Sequence, residues 1–69
     1  MSPLELSPRL ADPDALFEAL VEAHLGLEPA ASRRLDARLV LLLANHIGDL
    51  DVVREAIREA RAAGEEEMA

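Results

Sequence analysis

The chain has no cysteine, no tryptophan, no tyrosine and one phenylalanine, Phe17, in 69 residues. Without cysteine, disulfides, thiolate metal sites and a cysteine nucleophile are all closed to it. A single aromatic ring builds neither a base-stacking platform nor a cage for a quaternary ammonium. Lysine is missing as well: all seven basic residues are arginine, set against fourteen acidic ones, for a formal net charge of -7. A surface of that sign repels phosphate backbones and anionic lipid headgroups, so neither nucleic acid nor a membrane is an expected partner. The longest apolar run, Leu39–Ala44, falls far short of the roughly 20 residues that span a bilayer. The opening MSPLELSPRL lacks the basic n-region and apolar h-region of a signal peptide. A cytoplasmic location is the expectation.

Catalytic chemistry is equally short of material. The serines are Ser2, Ser7 and Ser32, and no base is placed beside any of them. Gly26, Gly48 and Gly64 each sit at the end of a helical pattern, so there is no glycine-rich phosphate loop. The chain is expected not to be an enzyme and to use no cofactor. A chain of this length buries only about 60% of the surface its unfolded form exposes, and a core that small rarely supplies more than roughly 3 to 5 kcal/mol unaided. With disulfides excluded, oligomerisation is the leading way to make up the shortfall.

Three amphipathic segments follow an N-terminal arm. Residues 1–11 carry Pro3 and Pro8 and read as an extended arm pinned by Leu4, Leu6 and Leu10. In DPDALFEALVEAHLGL, Asp12 is a capping residue, Pro13 suits the first helical position and Gly26 supplies the left-handed residue that ends the helix. Leu16, Phe17, Leu20, Val21 and His24 share one face of it. The second helix opens at Pro29, after Glu28 in the cap position, and closes at Gly48; from Leu39 onward apolar residues cover more than half of its circumference. The third runs from a cap at Asp49 to near Gly64, with Leu50, Val53, Ile57 and Ala60 as its apolar stripe. Asp51 with Arg54 and Glu55 with Arg58 are expected as solvated i,i+3 pairs. The fold class is therefore all-α: an antiparallel helical hairpin plus a third helix over residues 12–64, with residues 65–69 as a disordered acidic tail.

The polar residues in LVLLLANHIGDLD need separate explanations. His24 and His46 each fall in the last turn before a helix-ending glycine, where an imidazole half-buries its ring and caps unpaired carbonyls. In an antiparallel hairpin they would lie about 25 Å apart at 1.5 Å per residue, so one chain does not bring both to one metal ion. A ligand or metal site around Asn45, His46 and Asp49, where an imidazole and an amide meet a helix N-terminus, is a weaker alternative because a true metal-ligand spacing is lacking. Asn45 has poor helix propensity, and its favoured role is to fix orientation against a partner subunit. The expected interaction surface comprises Leu39, Leu42, Leu43, Asn45, His46, Ile47 and Asp49, with Val40 and Leu41 in the same apolar arc. The expected partner is a second copy, in a homodimer.

The segments DPDALFEALVEAHLGL, LDARLVLLLANHIGD and VVREAIREAR, with RLVLLLANHIGD the most specific, resemble a small bacterial family known as domain of unknown function 2783. The likeness runs from Leu10 to about Arg61. It implies no catalytic residue. It does imply a genetic setting beside flavin-dependent aromatic hydroxylases or related oxidoreductases, and hence a second reading as a small accessory subunit of such an enzyme.

Overall fold

A computed structural model describes residues 4–68; the first three residues of the arm and Ala69 of the tail lie outside the described residues. Those described form three α-helices and no strand, so the chain is all-α: α1 is Pro13–His24, α2 is Pro29–Ile47 and α3 is Leu50–Met68. Each helix end has a local chemical cause. Asp12 Oδ1 accepts from the Ala15 amide at 3.0 Å, with Pro13 at the first position and Asp14 in the first turn. The chain leaves α1 through Gly26 at φ 76°, where the Leu25 and Leu27 amides donate to the carbonyls of Glu22 and His24 at 3.3 and 3.2 Å. At the start of α2 the Ser32 amide donates to the Glu28 carbonyl at 2.9 Å, and at its end the Gly48 amide, with φ 70°, donates to Ala44 at the same distance. Asp49 then caps α3, its Oδ1 accepting from the Asp51 and Val52 amides at 3.0 and 3.4 Å.

Two compact units divide the chain within α2: one comprises Ser7–Leu41, the other the arm up to Leu6 together with the chain from Leu42 onward. In the first, Leu20 and His24 of α1 and Ala31, Leu35 and Leu39 of α2 are half-buried, whereas Leu16, Phe17 and Val21 are exposed. The expected apolar face of α1 is thus covered only along its Leu20–His24 edge. In the second unit the Leu4 amide donates to Glu55 Oε2 at 3.0 Å, which ties the arm to α3. Val52, Val53, Glu55 and Ala56 are half-buried there, and Leu50 and Ile57 are exposed. The covered face of α3 is therefore rotated from the stripe expected by periodicity, because the arm is held on the Glu55 side. Glu55 spends its carboxylate on that backbone amide instead of Arg58. The Asp51–Arg54 pair is present at 4.0 Å with both partners largely exposed, a geometry that contributes little.

The other departure is at the C-terminal end. α3 runs through Gly64 to Met68, so the residues expected as a disordered tail, 65–68, continue the helix. Gly64 has no left-handed φ, and a glycine inside a helix costs only about 1 kcal/mol relative to alanine, while glutamate and methionine are good helix formers.

The three glycines therefore predict opposite mutational effects. A Cβ at Gly64 meets nothing within 4 Å, so Gly64→Ala is expected to stabilise by roughly 0.5 to 1 kcal/mol. Gly26→Ala and Gly48→Ala must hold alanine at φ 76° and 70° and should each destabilise by about 1 to 2 kcal/mol. Urea titration followed by circular dichroism is the measurement, and a destabilising Gly64→Ala would contradict the helical continuation.

Candidate functional site

The residues expected to form an interaction surface occupy distinct environments. Leu39 is half-buried in its unit, while Leu42, Leu43 and Ile47 are exposed, at 69%, 53% and 50%. Asn45 and His46 are exposed too, and among the described residues neither side chain makes a hydrogen bond. The capping role expected of His46 is therefore not taken up. The Ala44 carbonyl near the helix end already accepts from Gly48, and the ring points into solvent. Asp49 is half-buried with its carboxylate engaged by the first turn of α3. An anion or metal at this junction would have to compete with that cap, and among the described residues no group of three or more His, Asp or Glu side chains gathers.

His24 behaves differently. Its Nδ1 lies 2.6 Å from the Leu20 carbonyl one turn back, and its Nε2 lies 2.7 Å from Oδ1 of Asp36 on α2. A neutral imidazole donates through only one nitrogen, whereas both nitrogens here face acceptors, so the arrangement is satisfied by the imidazolium form. The pKa is accordingly raised above 6.5, first by the Leu20 carbonyl, then by the hydrogen bond to Asp36 and its charge, against an opposing contribution from desolvation. The pair is open to solvent, the side chains being 29% and 61% exposed, which screens it. Beside it Leu20, Val21, His24 and Leu25 line a shallow hollow of about 380 Å³. With both imidazole nitrogens engaged, that hollow offers an apolar wall and no free polar group.

Asp36 carried no role in the reading of the sequence. The available signal was the placement of His24 near the start of the second helix, where a carboxylate within reach would pair with it. The remaining geometry names no reaction. The sequence profile of a family described as protein of unknown function, DUF2783, matches residues 4–62. The chain belongs to the DUF2783 family. No curated protein and no solved structure matches it. Among the described residues no helix is long and apolar enough to cross a membrane.

Because the folded-state pKa of His24 lies above 6.5, the clasp to Asp36 contributes fully below that value and is lost as pH rises through the raised pKa. NMR titration of the His24 ring should give a midpoint above 6.5, lowered in Asp36→Asn. A parent midpoint at or below 6.5, unmoved by Asp36→Asn, would exclude the clasp.

Proposed function

We propose that the chain is a non-catalytic protein–protein interaction domain of the cytoplasm that self-associates through the exposed apolar face of α2 as a two-fold pair. The observation that supports this reading is the absence of any fully buried side chain among the described residues, while Val40, Leu41, Leu42, Leu43 and Ile47 are 50% to 69% exposed. A large aliphatic side chain left in water forgoes about 1.5 to 3 kcal/mol relative to full burial. These residues are spread around more than half of α2, so a pair covers only part of them; closing over two leucines from each copy is worth roughly 5 to 10 kcal/mol gross, comparable with the roughly 4 to 15 kcal/mol of freedom lost on association. Neither folding nor pairing has a large surplus alone, so the two reinforce each other.

Two measurements follow. Sedimentation equilibrium across the micromolar range should give twice the chain mass. The melting temperature should rise with protein concentration, each tenfold step adding about 1.4 kcal/mol of apparent stability. One chain mass with concentration-independent melting ends the proposal.

The same surface is the one an oxidoreductase would use if the chain were its accessory subunit. Co-purification from native-level expression separates the two: recovery of only the chain's own copies favours self-association, and stoichiometric recovery of an oxidoreductase favours the accessory role.

A further inference from the structure

α2 is one unbroken helix from Pro29 to Ile47, and the side chains along its exposed face follow an order. At about 100° per residue, Arg34, Arg38, Leu41, Leu42 and Asn45 fall within roughly a quarter of the circumference. All five are exposed, Leu41 and Leu42 each at 69%. The half of this stripe toward the N-terminus is basic and carries Arg34 and Arg38; the half toward the C-terminus holds the uncharged Asn45, the negative end of the helix dipole and then Asp49. The polar positions are spaced evenly about a single point. Arg38 and Asn45 lie equally far on either side of the midpoint between Leu41 and Leu42, and the helix runs on past Asn45 to end at Ile47, on the side of that midpoint away from Arg34.

We infer that α2 pairs with α2 of a second copy in antiparallel sense, the two-fold axis passing between residues 41 and 42, so that each Arg38 meets the partner's Asn45 and each Arg34 faces the negative C-terminal end of the partner's α2. This deepens the self-association proposed above and rests on it. It assigns the contact to the Leu41–Leu42 side of α2; Val40, Leu43 and Ile47 lie on the opposite side of the helix and stay outside the pair. The charge order selects the sense. A parallel pair would set Arg34 and Arg38 against their own copies and bring the two negative helix ends together. The antiparallel pair places donors against acceptors at both ends and four exposed leucines in the middle, Leu41 meeting Leu41 on one side of the axis and Leu42 meeting Leu42 on the other. It is the self-complementary arrangement that a two-fold interface requires.

The absence of native cysteine makes single-thiol variants of the full chain a direct test. Around the inferred axis, two copies of residue 41 are offset by only about 1.5 Å along the helices, within disulfide reach, whereas two copies of residue 45 are offset by about 10 Å, beyond the roughly 7 Å Cα limit. Under mild oxidation Leu41→Cys should be captured mainly as covalent dimer and Asn45→Cys should stay monomeric on a non-reducing gel. An equal mixture of Asn45→Cys and Arg38→Cys should give the mixed disulfide. Charge reversal offers a variant without thiols: Arg34→Glu with Arg38→Glu should raise the dimer dissociation constant about tenfold or more with helicity by circular dichroism retained. Efficient self-coupling of Asn45→Cys, or no coupling of Leu41→Cys in a chain that sediments as a dimer, overturns the antiparallel register while leaving self-association standing. A parent chain that sediments as a monomer removes both.

Discussion

No described side chain of the three helices is fully buried, and most of the molecule's properties trace back to that thin cover. A helix becomes stable in water chiefly by laying an apolar face on something else. Here α1 is covered along the edge of Leu20 and His24, α3 along the edge of Val52 and Ala56, and no described side chain is fully buried. Local devices take on a larger share than usual. Asp12 and Asp49 side chains satisfy first-turn amides, Gly26 and Gly48 close helices with left-handed backbone, and Glu55 holds the arm through one charge-assisted bond to Leu4. None of these covers apolar surface, and Leu41, Leu42 and Leu43 of α2 are left exposed.

That division explains what could be read from the sequence. The existence, order and starting points of the three helices were legible because their signals are local: a capping carboxylate, a proline in the first position, a glycine at the end. The limits of legibility fall where the cause is tertiary or where a glycine has two uses. Gly64 resembles Gly26 and Gly48 in sequence but takes no left-handed φ, and α3 passes through it. The covered side of α3 is set by the arm at Glu55, a contact 51 positions away in the chain, which no periodicity encodes. Phe17, the single aromatic residue, lies on the apolar arc of α1 and yet is 69% exposed, because an arc specifies what can be buried and not how much of it a neighbour reaches.

The two histidines show the same contrast at one residue type. Both stand in the last turn of a helix before a glycine, and local logic gives them one role. Their surroundings separate them: His24 has the Leu20 carbonyl behind it and Asp36 in front, whereas His46 follows a carbonyl already taken by Gly48 and faces solvent. A dipole at a helix end favours a cation in general, but a fixed acceptor on each ring nitrogen is what holds one protonated. The sequence supplied the first condition for both histidines and the second for neither.

Asn45 is the remaining residue that the chain's own fold does not account for. Among the described residues its side chain makes no hydrogen bond, and asparagine is among the poorer residues for a helix interior. In the inferred pair it lies opposite an arginine, where the alternatives each fail in a specific way. A leucine at position 45 would extend the apolar stripe by another turn and let two copies slide along one another at little cost. An aspartate would pair more strongly with Arg38, but it would stand one turn before Asp49 on a chain already at net charge -7, adding repulsion at the negative end of the helix. An amide offers an oxygen to the guanidinium and adds no charge, so it penalises the shifted registers while leaving the helix end undisturbed. Placed four residues beyond Leu41, it marks where the apolar contact should stop.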